Sequence, residues 1–546
     1  MDIYLTKNID ELKGQFFKLE TRRDVADLLE VSDKTLIYHL YRIKDSEKYT
    51  TFTIPKKSGG AREISSPSTN LKILQQKLNY ILKHIYKQKF YVHGFVLDKS
   101  ILTNAKQHFK RENVFNIDLL DFFPSINFGR VYGMFQAKPY LLNKKVAAVL
   151  AKMCCYDGKL PQGAPTSPII SNMICVKMDD ELFRFARKLN CRYSRYADDI
   201  TFSTDRTKFP EEIAQEVQGQ QQFPKIKVGE KLEKIIEKNG FHINQNKIWL
   251  KHRSHRQQVT GLTVNEFPNI SRKYQNQIRA MLHAWEKYGL QAAEKDFLQK
   301  YNSKKRWPFD KGTLFKKVLR GKINFLKMIK GDQCAIYQKF CEKLSILDES
   351  FKFIRKIRDT DPEKLQQAVF VLDNPRGQGT AFMLFGVGLI TSAHNVENDK
   401  LDTFLYKPDA SSDKQKIKII HINPKYDVAI IDVDKGWAKA SLVKCDRIDL
   451  KRGEPVKVIG FPKHAPGKTL QIHEGNVTGF GYWFGNKTIN IDARIIEGNS
   501  GGPVLNSQNE VIGIAFYGAS CPEEADRNES GVIPINMVNV LLNHKS

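Results

Sequence analysis

Near residue 365 the chain changes texture, and that change limits what it can fold into. Before it, amphipathic helical stretches alternate with apolar strand-like runs; after it come short β-rich runs such as "AVFVLD", "KIKIIHI", "DVAIIDV", "PVKVIGF" and "INIDARI", separated by Gly, Pro, Asn and Asp. Runs of that spacing predict an all-β barrel or sandwich. Charge divides at the same place: residues 363–546 sum to zero, so residues 1–362 hold the whole formal +27. An excess confined to one region points that region toward a polyanion, nucleic acid before a membrane surface. At 546 residues the chain is too long for one core, and about three or four units are expected at roughly 100–200 residues each.

No apolar run approaches the ~18 residues of a spanning helix. The longest candidate, "AFMLFGVGLITSA" (381–393), is broken by Gly, Thr and Ser. The start, "MDIYLTKNIDELKG", has acidic residues and no apolar core, so no signal peptide is expected and the chain reads as cytoplasmic. None of the eight cysteines forms a CxxC pair, which favours reduced, mostly buried thiols. Along the basic part, "TRRDVADLLEVSDKTLIYHLYRI" (21–43) has helical spacing with Ser32 and Asp33 as caps. "FTIPKKSGGAREISSP" (52–67) reads as strand, turn, strand, and 71–88 as a basic amphipathic helix. The densest positive stretch, 304–330, interleaves aromatics with Lys and Arg, which suits backbone charge with base stacking.

Two constellations carry chemistry. "VFNIDLLDFFPSI" (114–126) puts Asp118 at the end of an apolar strand, and "RYADDITFS" (195–203) puts Asp198 and Asp199 at a hairpin turn. Three carboxylates could clamp the two hard cations, about 3.5–4 Å apart, that nucleotidyl transfer uses. An adjacent Asp pair alone is usually a solvated turn. Here it has company: "IPKKSGGAREI" (54–64), "LPQGAPTSPIISN" (160–172) and "GFHINQNKIWL" (240–250) stand in the order and spacing of reverse transcriptase motifs. "SILTNAKQHFK" (100–110), "QQVTGLTVN" (257–265) and "LRGKINFL" (319–326) further resemble the retron reverse transcriptases.

That resemblance implies a right-hand polymerase with fingers, a palm built on an antiparallel sheet, and a helical thumb. It implies two Mg²⁺, with Mn²⁺ as a possible substitute, on Asp118, Asp198, Asp199 and the carbonyl of Leu119. Arg62 would grip the triphosphate of the incoming dNTP, Phe123 would exclude a ribose 2′-hydroxyl, and Gln162 and Gly163 would lie against nucleotide and template. Lys247 would serve near the pyrophosphate as acid or as charge. Asn104, His108, Val259, Thr260 and Gly261 would bind RNA. The implied substrate is a cognate structured non-coding RNA, primed from a guanosine 2′-hydroxyl to give branched RNA-linked single-stranded DNA (msDNA), with possible oligomerisation around the hybrid.

The second constellation begins at "EGNSGGPVL" (497–505), a Gly-rich turn able to aim the amides of Gly498 and Ser500 at one spot. "GLITSAHNV" (388–396) sets His394 after a strand, and "PKYDVAIIDV" (424–433) sets Asp427 at a strand start. The order His394, Asp427, Ser500 resembles the chymotrypsin-like proteases, HtrA and glutamyl-endopeptidase branch, over about 367–540. Ser500 would be nucleophile, His394 base and acid, Asp427 its orienter, and Gly498 with Ser500 the oxyanion hole. Arg494 stands either at the primary pocket or in solvent, and the protein substrate is unknown.

The expected architecture is therefore multidomain α+β: N-terminal helices and fingers 1–110, palm with part of the fingers 111–255, RNA-binding thumb 256–350, linker 351–366, and an all-β chymotrypsin-like double barrel 367–546. The expected function is a retron reverse transcriptase fused to a serine endopeptidase effector in antiphage defence. The alternative makes the C-terminal part a non-catalytic peptide- or nucleic-acid-binding module.

Overall fold

The computed structural model describes residues 5–55, 60–217, 225–302, 314–375, 377–397, 402–433, 438, 440–447, 450–465, 467–483, 485–517 and 530–543. The chain divides into two compact units, Met1–Gln275 and Asn276–Ser546.

In the first unit, helices Ile9–Phe16 and Arg22–Leu28 start on capping boxes, Asn8 with Glu11 and Thr21 with Asp24, which satisfy orphan N–H groups reciprocally. Ser32 caps Asp33–Ile37 by accepting from the Thr35 N–H. The fingers hairpin pairs Tyr49–Pro55 with Ala61–Pro67 and sets Arg62 opposite Ile54. Residues 56–59 of its Gly-rich turn lie outside the described residues. The basic helix runs Thr69–Ile85 and buries Leu71, Leu74, Leu78, Ile81 and Leu82 along one stripe. The palm sheet is antiparallel, in the order Arg192–Tyr196, Asp199–Thr204, Asn113–Asp118, Trp249–His252. Its inner strand Asn113–Asp118 is buried along its whole length. One apolar cluster runs from Leu12 through Phe115 and Phe202 to Ile243, so fingers and palm share a core. Truncating a ring such as Phe115 to Ala there would cost about 3–5 kcal/mol.

The second unit holds helices Leu314–Lys330 and Ala335–Leu347 and all of the β-rich region. Leu314–Lys330 buries Phe315, Leu319, Ile323, Leu326 and Ile329. Its Lys316 and Arg320 reach the buried Asp348 at 3.2 and 2.7 Å. Residues 303–313, which include the start of the basic stretch 304–330, lie outside the described residues. A closed six-stranded barrel follows the order Pro455–Gly460, Gln471–Trp483, Asn486–Ile491, Ser530–Pro534, Val511–Tyr517, Pro503–Asn506. The other half is a nine-stranded sheet in which Val369–Asn374, Gly377–Leu384, Gly388–Thr391 and Val428–Asp432 lie side by side. The expected double barrel is thus a closed barrel beside a half-barrel, with a common core from Val369 and Phe382 to Leu505 and Ile514.

Residues 351–366, read from sequence as a linker, are built into this unit instead. Arg355–Ile357 pairs in parallel with Ala440–Leu442, and Pro362–Leu365 forms a short helix capped by Asp361. Ile357 and Leu365 enter the core. The charges that suggested a solvated tether are paired: Lys356 with Asp332 at 3.0 Å, and Arg358 with Glu510 at 3.1 Å. Among the described residues no helix is long and apolar enough to cross a membrane. The seven described cysteines are free, and Cys521 lies outside the described residues.

Candidate active sites

The palm sheet brings the first constellation together. Asp118 ends its strand opposite Asp199, and Asp198 occupies the turn between Arg192–Tyr196 and Asp199–Thr204. The Leu119 N–H donates to the Asp198 carbonyl at 3.0 Å, and the Asn244 N–H to the Asp118 carbonyl at 2.8 Å, so backbone bonds fix three segments at one point. Burial, then the charges of Asp198 and Asp118, push Asp199 up to about 7. Burial and the charge of Asp118 raise Asp198. Lys247 Nζ lies 2.9 Å from Asp118 Oδ2. Burial acts to lower the Lys247 pKa, but the bond to Asp118 and the charges of the three carboxylates outweigh it and the ammonium is held above its ordinary range.

Like charges this close cannot all ionise without added positive charge, and one lysine does not supply enough. Carboxylate oxygens are the donors that hard divalent cations take, although among the described residues no three such groups are drawn into a ready ligand cluster. Of the residues expected around the nucleotide, Lys247 and Arg62 lie by the carboxylates and Gln162 is tied to the Arg62 hairpin. Arg62 is close enough for its charge to act on Asp198. The Gln162 carbonyl accepts from the Ser65 N–H at 2.8 Å, joining the loop at 160–166 to the Arg62 hairpin. Gly163 has φ +125°, and a Cβ there would lie 2.8 Å from the Ser65 carbonyl oxygen, so the contact requires glycine. Phe123 packs on Phe122 and Phe95 with ring centroids 5.2 and 6.1 Å away.

The residues expected to bind RNA divide. Asn104 and His108 are fully buried, and this corrects their assignment. His108 Nδ1 meets Ser203 Oγ and Nε2 meets Ser194 Oγ, both at 2.7 Å, while the Ser194 hydroxyl donates to Asn104 Oδ1 at 2.6 Å. Since that hydroxyl proton goes to Asn104, Nε2 must carry the His108 proton and Nδ1 must accept from Ser203. The pair therefore fastens helix Ile101–Ala105 to both strands of the catalytic hairpin and presents nothing to a ligand. Val259 is buried too. Thr260, at φ +47°, bonds the Ile101 carbonyl at 3.3 Å, and Gly261 is the exposed member of that hairpin.

In the β-rich half, His394 lies on the 3₁₀ turn Ala393–Asn395 just past strand Gly388–Thr391, and Asp427 just before Val428–Asp432. Those strands pair, Thr391 opposite Ala429, and the pairing carries His394 to Asp427. Nδ1 of His394 lies 2.8 and 2.9 Å from the two Asp427 oxygens, and the His394 N–H donates to Oδ1 at 2.9 Å. Asp427 is buried at φ +50°, a region Asp tolerates better than most side chains. Ser500 Oγ is 2.7 Å from His394 Nε2.

Gly498 has φ +97°, and its Cβ would meet the Phe461 carbonyl oxygen at 2.5 Å. The Glu497 carbonyl accepts from the Lys463 N–H at 3.2 Å. In a planar trans peptide this turns the Gly498 N–H the opposite way and leaves it out of that bond. Two residues missed by the sequence reading join the halves. Thr380 Oγ1 donates to the Gly498 carbonyl at 2.7 Å and accepts from the Phe461 N–H at 3.2 Å, while its own N–H donates to the Ser500 carbonyl at 2.8 Å. Asn395 Nδ2 donates to the same Ser500 carbonyl at 3.0 Å. The only signal in sequence was their place, a threonine inside a strand and an asparagine beside His394. Arg494 is exposed.

The fold and both constellations define a polymerase palm with fingers joined to a trypsin-like peptidase domain. Comparison agrees: the reverse transcriptase (RNA-dependent DNA polymerase) family matches residues 54–264 and the trypsin-like peptidase domain family matches 379–514. The retron Ec86 reverse transcriptase of Escherichia coli is 34% identical over 264 residues, covering 48% of this chain and 76% of that protein. The retron Mx65 reverse transcriptase of Myxococcus xanthus is 35% identical over 283 residues, 48% of this chain and 62% of that protein. The chain belongs to the retron reverse transcriptase family. It spans about six tenths of the length of the Myxococcus relatives. A mitochondrial Do-like protease of Arabidopsis thaliana is 33% identical over 147 residues, 25% of this chain and 29% of that protein. Among solved structures, the inactive form of a serine-to-alanine mutant of Rv3671c from M. tuberculosis is 20% identical and Deg5 24% identical. They cover 34% and 33% of this chain and 90% and 88% of those chains, at TM-scores of 0.28 and 0.27.

Proposed function

We propose that this chain copies a cognate structured RNA into single-stranded DNA that stays joined to the RNA, and that its C-terminal domain is a serine endopeptidase controlled by that nucleoprotein, with a role in antiphage defence. The observation that carries the peptidase half is the closed relay from Asp427 through His394 to Ser500. A binding module has no use for a serine hydroxyl 2.7 Å from an oriented imidazole. There His394 Nε2 takes the Ser500 proton as Oγ attacks a peptide carbonyl, Asp427 holds the imidazolium that forms, and the amides of Gly498 and Ser500 receive the oxyanion. His394 then returns the proton to the leaving amine.

In the polymerase half, Asp118, Asp198, Asp199 and the Leu119 carbonyl would hold two Mg²⁺, for which Mn²⁺ can substitute. Held there, such ions would supply activation of the attacking hydroxyl and charge to offset the leaving pyrophosphate. Arg62 grips the triphosphate of a dNTP with its fork of donors. Phe123 stands where a ribose 2′-hydroxyl would collide, Gln162 and Gly163 line the base pair, and Lys247 offers a charge or a proton beside the pyrophosphate. Within the first unit, Gly261 and Thr260 would contact RNA; in the second, the basic helix Leu314–Lys330 offers charge for an RNA backbone.

Two experiments test the reading. Protein purified from cells carrying its neighbouring non-coding segment should bring RNA-linked single-stranded DNA with it, and Asp198→Ala with Asp199→Ala should remove that DNA. A serine-directed phosphonate should label Ser500 in the wild type and leave Ser500→Ala unlabelled. Defence that survives Ser500→Ala would return the C-terminal domain to the non-catalytic reading.

A further inference from the structure

The hairpin bearing Asp198 and Asp199 has a fully buried ion pair close to its turn. Arg195 and Asp179 are each 0% exposed. Nε and Nη2 of Arg195 donate to the two Asp179 oxygens at 2.7 and 2.8 Å, and the Tyr193 hydroxyl adds a third bond to Asp179 at 2.7 Å. Taking two ions out of water costs so much that apolar residues of similar volume are often as stable or more so. Stability alone therefore gives no reason for this pair, whereas its remaining arms do.

Nη1 donates to the carbonyl of Ala197 at 2.9 Å, and Nη2 also donates to Asn172 Oδ1 at 3.1 Å. Ala197 immediately precedes Asp198 and has φ +58°, the left-handed region that a β-carbon disfavours. On its other side the turn meets Gly94, where a Cβ would lie 2.3 Å from the Ala197 nitrogen, and Asn172 Nδ2 holds the Gly94 carbonyl at 2.9 Å. Asn172 and Asp179 are seven residues apart on helix Ser167–Lys188, two turns along one face. That helix begins four residues after Gly163.

We propose that Arg195 is a positioning residue for nucleotidyl transfer: squared by Asp179 and Asn172, its guanidinium fixes the Ala197 carbonyl and so sets where Asp198 and Asp199 point relative to the pocket at Gln162 and Gly163. This rests on the polymerase reading above. A lysine keeps the charge but cannot hold Asp179 bidentately while reaching Ala197 and Asn172 at fixed angles.

The test is single-turnover dNTP incorporation by the full-length protein on a primer–template with Mg²⁺, comparing wild type, R195K and N172A, with template affinity and thermal unfolding measured in parallel. Misplacement by an ångström can cost about 100-fold; R195K should lose roughly that factor in kcat and N172A about 5- to 10-fold. The dNTP KM and template Kd should each stay within about threefold, and Mn²⁺, with less exacting geometry, should recover part of the loss. N172A removes only short polar arms and decides the matter alone if R195K does not fold. Folded variants with kcat within about twofold of wild type overturn the inference, as do losses that appear only in template affinity or stability. A wild type that incorporates no nucleotide overturns the polymerase reading and the inference with it.

Discussion

At the polymerase site three carboxylates stand together with one lysine among them; at the peptidase site one carboxylate, one imidazole and one hydroxyl form a closed chain. The first leaves negative charge in excess, and burial together with that charge pushes Asp199 up to about 7. The second is satisfied by the protein itself, each donor meeting its acceptor at 2.7–2.9 Å. One site must wait for cations and nucleotide, while the other has its catalytic hydrogen bonds in place without them. If the peptidase is restrained before a trigger, the restraint then lies in access to the site or in the elements that hold its oxyanion turn.

The largest effects should separate the two sites outright. A chelator should reduce polymerase activity by a factor on the order of 10³ or more and leave cleavage of a peptidase substrate within about twofold, because only the first site needs metal. Ser500→Ala should do the converse and lower peptidase kcat by about 10⁴–10⁶, with polymerisation unchanged. Chelator-sensitive peptidase activity would break the comparison. Next comes the oxyanion turn. Gly498→Ala forces a Cβ against the Phe461 carbonyl at a φ that L-residues avoid, and losing one oxyanion donor costs about 10²–10³ in kcat. Labelling of Ser500 by the phosphonate should slow in proportion, since the nucleophile remains. A smaller step is Thr380→Val, which keeps the shape and removes the hydroxyl that bonds Gly498 and Phe461. With buried partners left unpaired, about 10- to 50-fold in kcat is expected, and a change under twofold would show that the turn holds itself.

How legible these features were in sequence depended on whether chemistry or packing selected the residue. Asp118, Asp198, Asp199, His394, Asp427 and Ser500 stand in short motifs because the reaction dictates both their type and their neighbours, and the structure brings each group together. Thr380 and Arg195 are ordinary residue types whose meaning comes from partners 118 and 16 residues away respectively. Asn104 and His108 show the opposite error. A resemblance marked them as ligand-binding, yet their bonds run to Ser194 and Ser203 inside the palm. Nor did composition reveal the strand Arg355–Ile357: it looks like a tether until it pairs with Ala440–Leu442, Lys356 meets Asp332 and the neighbouring Arg358 meets Glu510.

The smallest expected effect concerns stability and probes that internal role of His108. Burial, then the positive charges of His93, Arg192 and Arg111, depress its pKa to about 3, and His93, likewise buried and beside Lys99, is depressed to about 4. An unfolded histidine titrates near ~6.5. Between those values the unfolded chain binds protons that the folded chain refuses, so stability is complete above about pH 6.5 and falls as pH drops toward 4. Each such group contributes a slope of about 1.4 kcal/mol per pH unit in that window. Protonating Nδ1 would also cost the bond it accepts from Ser203. His108→Gln keeps a donor and an acceptor but cannot take up a proton, so its urea-unfolding free energy should be lower at pH 7.5 by about 1–2 kcal/mol yet fall less steeply between pH 6.5 and 4.5. Parallel pH profiles for wild type and His108→Gln would mean that His108 is not locked in the palm interior, and the assignment of Asn104 and His108 to RNA would be open again.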